Sequence, residues 1–298
     1  MMPDVIRACP ICSNSSSEPA FPWAIQFEGK RFGYYKCIAC SSVFVDPVPD
    51  AQTFARMYAK SDYHDCHYSE CESTHYEIAA KLLGGYLPIG ASILDYGCGF
   101  GHFLGAVQAA GYRACGVEFD SEAAAAASRS SGCEVFSIEE FSKKTRGPKF
   151  DLIHLGDVLE HLPEPSETLK QLLTHLKSGG LLFVEGPLET NPSPVYWATR
   201  LFATIKRRLR PGFIGKGKPT HLFRTGARQQ LDFFCRVAPN LQLLHWEIYE
   251  TGWPYADSGV IKNSISKFSN LLGGKTFFCI TFGNRFKGIF RYTIGQPD

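Results

Sequence analysis

A chain of 298 residues, 44% of them hydrophobic, is long enough to bury a large α/β core and to carry an appendage. A formal net charge of +2 argues against nucleic acid as the default partner, and no apolar run reaches the roughly 20 residues of a membrane-spanning helix. Eleven cysteines, several of them inside expected core elements (Cys98, Cys115, Cys133), predict a reducing cytoplasmic setting rather than a disulfide scaffold, and the first seven residues lack the apolar stretch of a signal peptide.

Cys9-Pro10-Ile11-Cys12 and Cys37-Ile38-Ala39-Cys40 form two C-x-x-C knuckles separated by twenty-four residues. Four thiolates at this spacing suit a tetrahedral zinc ion, and the aromatic, β-prone residues between them (Trp23, Phe27, Phe32, Tyr34, Tyr35) suit a hairpin. Residues 1–50 therefore read as a zinc ribbon. A closed four-cysteine site has no position for a substrate, so the metal is expected to be structural; redox chemistry at one knuckle is the rival reading. Ser13 and Ser41 stand where such turns frequently carry glycine. Residues 42–49 form a strand closed by prolines. Residues 51–76, rich in tyrosine, histidine and acid, read as an aromatic linker over a cleft, with a second metal site at Cys66, His67, Cys71 and His75 as the alternative.

After a helix over 77–87, the run Ile93-Leu94-Asp95-Tyr96 leads into Gly97-Cys98-Gly99-Phe100-Gly101, a buried strand ending in a glycine turn that lets a ligand approach the backbone. A dinucleotide fingerprint needs G-x-G-x-x-G, whereas here the glycines run G-x-G-x-G with His102 in sixth place, and Asp95 would repel a pyrophosphate. The same carboxylate suits a ligand carrying an ammonium and a sulfonium. A second strand, 112–118, ends at Glu118, seventeen residues beyond Gly101 and placed to accept from ribose hydroxyls, with Phe119 following it. This stretch resembles the class I S-adenosylmethionine (SAM) methyltransferases, and the resemblance implies their Rossmann-like seven-stranded sheet.

Ser121 is expected to cap a helix over 121–130. After the strand 134–137, the same resemblance implies that Ile138 and Glu139 hold the adenine, with ordinary helix-start residues as the rival reading. Residues 150–155 are a buried strand, and Gly156 and Asp157 turn toward the cofactor edge, where the resemblance puts Asp157 beside the methionine portion of SAM. His161 follows as a candidate general base, since imidazole titrates near working pH, or as a brace for the Leu162-Pro163 turn. A helix over 166–176, ended by Gly179-Gly180, precedes the strand 181–185.

Residues 188–222 read as an inserted lid. Ala198, Leu201, Ile205 and Leu209 share one helical face, and seven Lys/Arg with no acid lie between Tyr196 and Lys218. Such a helix suits peripheral contact with an anionic membrane, grip on a phosphorylated substrate, or a cover over the site. Pro219-Thr220-His221-Leu222-Phe223 closes the insertion and resembles a family motif in which a histidine precedes an aromatic segment, which implies His221 as the second general-base candidate. A helix over 224–235 and strands over 241–249 and 275–282 complete the expected sheet, the last strand antiparallel beside the fifth; residues 285–298 receive no role.

Ribbon, Pro-x-Pro segment and tyrosine-rich linker together resemble a bacterial group of zinc-ribbon methyltransferases associated with sugar and glycan biosynthesis. The implied activity of residues 77–298 is in-line methyl transfer from SAM to a sugar or glycan-precursor acceptor, soluble, phosphorylated or lipid-linked, in the cytoplasm or at the inner membrane face. The alternatives are a small phenolic or quinone-like acceptor, an RNA-modifying protein, and a non-catalytic SAM-binding scaffold.

Overall fold

A computed structural model describes residues 6–58, 72–143, 149–252 and 259–293. Of the proposed second metal site, Cys66, His67 and Cys71 lie outside the described residues.

Near the N-terminus, β1 (Ser17–Phe27), β2 (Lys30–Cys37) and β3 (Val43–Asp46) form an antiparallel meander, followed by helix α1 (Ala51–Met57). Two short strands from far along the chain extend this sheet: β9 (Gly215–Lys216) pairs with β1, and β10 (Phe223–Arg224) pairs with β3. Cys9, Ile11, Cys37 and Phe44 share one apolar core with Leu159, Leu169 and Phe223, so ribbon and catalytic-type domain bury a common interior.

Helix α2 (Glu72–Leu83) leads into the α/β alternation: β4 (Ser92–Tyr96), α3 (His102–Ala109), β5 (Arg113–Glu118), α4 (Ser121–Ser131), β6 (Glu134–Ser137), α5 (Ile138–Ser142), β7 (Phe150–Gly156), α6 (Pro165–Leu173) and β8 (Leu176–Pro187). Beyond it come α7 (Pro194–Leu209), α8 (Ala227–Val237), β11 (Leu241–Tyr249), α9 (Val260–Leu272), the small hairpin β12–β13 (Thr276–Phe277, Ile280–Thr281) and β14 (Arg285–Tyr292). The main sheet runs β11-β14-β8-β7-β4-β5-β6, with β4 to β8 parallel and β14 antiparallel to both its neighbours. Successive residues of the central strands alternate between two cores. Ile93, Leu152 and Phe183 face one, and Leu94, Ile153 and Leu182 the other, as a sheet covered on both faces requires.

Three expectations are corrected. The antiparallel strand beside β8 is Arg285–Tyr292, not 275–282, whose apolar residues form the exposed β12–β13 hairpin instead. Gly179 and Gly180 lie within β8, which begins at Leu176, so they do not end the preceding helix. Asp120 rather than Ser121 caps α4, accepting from the Ala123 amide at 2.8 Å.

Candidate functional site

At the end of β4 the chain turns through Gly97, Gly99 and Gly101, whose φ angles are +80°, +54° and +79°. A Cβ on Gly97 would stand 2.4 Å from Val158 Cγ2, so the turn accepts no side chain there. Glu118, at the end of β5, draws the turn in: the Gly99 N–H donates to its Oε2 at 2.7 Å and the Phe119 N–H to its Oε1 at 2.8 Å. Burial pushes this carboxyl up, against the pull of the two amides. Each oxygen keeps acceptor capacity for a ligand hydroxyl. Phe119 exposes its ring beside that of Tyr58, 6.0 Å away. Ile138 and Glu139 open α5 behind a Ser137–Glu140 capping box. Ile138 packs against the core, and Glu139 is tied to Lys143 at 2.6 Å, an ordinary helix-surface pair.

The structure gives Asp95 a partner other than a cationic ligand. Asp95 is buried under the glycine turn, and His154 Nδ1 lies 2.7 Å from its Oδ1. The other ring nitrogen faces Glu185 Oε2 at 3.4 Å, and His75 Nε2 lies 3.5 Å from Glu185 Oε1. Burial opposes a charge on His154, but Asp95 and then Glu185 outweigh it and raise the imidazole to about 9. Glu185 is held well below its ordinary range, its burial overcome by His154 and His75. The imidazole stacks on Phe103 with centroids 3.9 Å apart. A Cβ on Gly156 would come within 2.8 Å of this ring, so Gly156 makes room for His154.

After β7 the backbone reverses through Asp157 at φ +53°, and Arg285 Nη2 donates to both its carboxylate oxygens at 2.7 and 2.6 Å. Burial raises Asp157, yet Arg285 holds it below the usual carboxylate range. The next turn, Leu159–His161, carries His161 to within 4.9 Å (ring centroids) of His221. His161 Nδ1 lies 2.8 Å from the Thr220 carbonyl and 3.1 Å from the Tyr58 hydroxyl. His221 Nδ1 lies 2.9 Å from Glu189 Oε2, and Arg224 Nε is 3.5 Å from Oε1 of the same carboxylate. Burial and the neighbouring His221 push His161 down to about 4, which keeps it neutral at pH 7. His221 moves the other way, its burial outweighed by Glu189. Glu189 itself is lowered to about 2, its burial overcome by Arg224 and His221. Burial and Asp157 raise Glu160, which lies beneath the pair, to about 8. Both histidines singled out from the sequence thus meet in one cluster, linked through Tyr58 and Phe119 to the glycine turn.

Glu160, His161 and His221 bring one ligand atom each within 4.8 Å of one another. The 3.9 Å between His161 Nε2 and Glu160 Oε1 exceeds the edge of about 3.4 Å expected for bonds of about 2.0–2.1 Å in a tetrahedral site. The four cysteines fit a metal better. Cys9 and Cys40 sulfurs are 3.7 Å apart and those of Cys12 and Cys37 3.5 Å, against an edge of about 3.8 Å for Zn–S bonds near 2.3 Å. Both close pairs join one knuckle to the other, which suits a four-thiol cluster and not a disulfide within either knuckle. Ser13 and Ser41 adopt φ of +60° and +63°, so serine takes the left-handed position of each knuckle without glycine.

Sequence reasoning missed His154, Glu185, Glu189 and Arg285. His154 and Glu185 each interrupt an apolar parallel strand, where a buried ionisable group signals a partner. Arg285 and Glu189 have no comparable local signal.

The order of the main sheet, with one antiparallel strand between β8 and β11 and a glycine turn after β4, is that of the class I methyltransferases. Residues 72–213 match the methyltransferase-domain family. The chain is 32% identical over 101 residues to a ubiquinone biosynthesis O-methyltransferase of Aromatoleum aromaticum, covering 32% of this chain and 43% of that protein. It is 31% identical over 104 residues to the enzyme of the same name from Xanthomonas axonopodis pv. citri, covering 33% and 43%. The chain thus spans less than half the length of the curated relatives it matches. Among solved structures it is similar to a SAM-dependent methyltransferase from Archaeoglobus fulgidus, at 19% identity and a TM-score of 0.47 over 72% of this chain and 94% of that one. An N-methyltransferase from Bradyrhizobium japonicum in complex with S-adenosylhomocysteine aligns at 14% identity and a TM-score of 0.48, over 81% and 97%.

Proposed function

We propose that the protein transfers a methyl group from SAM to the hydroxyl of a small phenolic or quinone-like acceptor. SAM, when bound, supplies an electrophilic methyl on a sulfonium. The glycine turn and Glu118 are assigned to hold its nucleoside end, with Phe119 and Ile138 as apolar walls, and Asp157 with Arg285 to border its amino-acid end. The observation that carries the reading is the His221–Glu189 pair beside neutral His161, at the same sheet edge as the glycine turn. A histidine whose positive form is stabilised by a carboxylate is built to take a proton from an acceptor hydroxyl. His161, with Tyr58 and Thr220 on its Nδ1 side, orients that hydroxyl.

Magnitudes favour a phenol over a sugar. Whatever the base, taking the proton from an aliphatic hydroxyl, near the ~15.7 of water, costs about 8 kcal/mol more than taking it from a phenol of pKa about 10. The printed activity of the curated relatives, O-methylation in ubiquinone biosynthesis, supports the same class. A structural zinc in the four-cysteine cluster completes the proposal.

The test is transfer of isotope-labelled methyl from SAM to a catechol-type acceptor, run beside nucleotide sugars. Label in the phenolic ether with release of S-adenosylhomocysteine is the expected result. Label confined to the sugars would replace the acceptor class, and SAM binding without turnover on either would leave only a binding scaffold.

A further inference from the structure

Among the described residues no helix is long and apolar enough to cross a membrane. One face nonetheless leaves large side chains in water. Helix α7 buries none of its residues, and α9 packs alongside it burying only Ser269. Leu201 and Leu209 of α7 are 58% and 77% exposed, and Val260, Ile261 and Leu271 of α9 are 82%, 71% and 63% exposed. The β12–β13 hairpin continues the same surface, since Phe282 just after it meets both Trp197 of α7 and Phe277 of the hairpin edge-on.

The hairpin tip has a cost with no visible return among the described residues. Its two turn residues, Phe278 and Cys279, hold φ of +46° and +65°, a conformation that favours asparagine and glycine. Phe278 is 99% exposed, so no packing among the described residues offsets the strain or the exposed ring. Charge is segregated onto the same elements. Residues 194–218 contain seven Lys/Arg and residues 259–283 three, with no Asp or Glu in either segment. With +2 over the whole chain and +10 in these two segments, the remainder carries −8.

We propose that α7, α9 and the β12–β13 hairpin form a peripheral docking surface for an anionic lipid leaflet, with Phe278 as the inserted wedge. Apolar faces edged by cations and flanked by aromatic rings are the chemistry that an acyl and headgroup boundary recognises. Lys206 and Arg207 already lie over aromatic rings, those of Phe213 and Trp23, at 4.1 and 4.6 Å. A second copy of this chain is disfavoured as the occupant, because a two-fold contact would set the ten cations of one face against ten of the other. The inference is independent of the methyl-transfer reading, since none of these residues belongs to the proposed site.

Co-sedimentation of the full chain with mixed phosphatidylglycerol–phosphatidylcholine vesicles, against phosphatidylcholine alone, tests it, with SAM binding measured in parallel as a check on folding. Binding to the anionic vesicles is expected to weaken about fivefold for each cation removed in Arg208→Gln and Arg210→Gln. Added salt should weaken it too. Phe278→Asp should reduce it about tenfold or more while SAM binding persists. Equal binding to both vesicle types, or by the Phe278→Asp variant, would overturn the proposal. So would a dimer in light scattering that Phe278→Asp dissolves without any vesicle binding, since the face would then belong to a second copy.

Discussion

His154→Gln is the most informative change to the folded state. His154 is 2% exposed, lies between Asp95 and Glu185, and is raised from 6.5 to about 9. A rise from 6.5 to about 9 corresponds to about 3 kcal/mol of linked stability. Because the folded value lies above the unfolded one, the native state holds the extra proton between about pH 6.5 and 9. The contribution is therefore complete below 6.5 and is lost as the pH rises through 9. Glutamine keeps one hydrogen bond but no charge, leaving Asp95 buried without its counter-ion and Glu185 beside the partly exposed His75. At pH 6 the variant should lose about 3–5 kcal/mol, the usual cost of breaking a buried pair. At pH 9.5 the wild type has itself lost the proton, so the gap should narrow by about 3 kcal/mol. Urea unfolding followed by far-ultraviolet circular dichroism at both pH values reads the difference, in which the titrations of Glu160 and His161 cancel. A penalty of the same size at pH 6 and 9.5 would refute a charged His154.

Glu118→Ala removes the acceptor of two loop amides and of the proposed ribose hydroxyls; calorimetry should find SAM affinity down about tenfold or more, and unchanged affinity would displace the cofactor site. Glu189→Gln withdraws the carboxylate that raises His221, so the acid limb of the pH–rate profile should move to lower pH and the maximal rate should fall. An unmoved limb would take the base role from His221. Cys37→Ser should abolish zinc binding by atomic absorption and lower turnover about tenfold or more while leaving SAM affinity within about twofold.

What was legible in the sequence was local. The glycine turn, the acid after β5 and the cysteine knuckles each carry their chemistry within a few residues, and the alternation from β4 to β8 follows from hydrophobic periodicity. The last strand was not legible, because two β-prone segments compete for one place. Residues 276–282 make the stronger apolar run, but β14 alternates Phe286, Gly288 and Phe290 with Lys287, Ile289 and Arg291, and its pairing with both β8 and β11 is fixed by tertiary contact. Arg285 went unread with it, and so did the clamp on Asp157. The basic helix was legible as amphipathic, yet periodicity says only that an apolar face exists. Here α7 leaves Leu201, Ile205 and Leu209 exposed.

The same non-local logic explains why a ribbon without an open metal position should matter to turnover. His221 lies between β9 and β10, and both of these strands are paired to the ribbon, one at each edge of the meander. Leu222 is held from both sides: the Val45 N–H of the ribbon donates to its carbonyl at 2.9 Å, and its own N–H donates to the Glu160 carbonyl at 2.6 Å. The histidine proposed as base is therefore registered against His161 through the ribbon's backbone. Cys37 ends β2, the strand that carries both β1 and β3. Loosening the proposed metal cluster frees the anchors of β9 and β10 together, and a displacement of about 1 Å at a reacting group is enough for a hundredfold loss of rate. The glycine turn and Glu118 hang instead on β4 and β5, whose partners among the described strands all lie in the main sheet. Loss of the proposed zinc should therefore separate the two halves of the reaction, sparing the hold on SAM and disordering the residue proposed to receive the acceptor's proton.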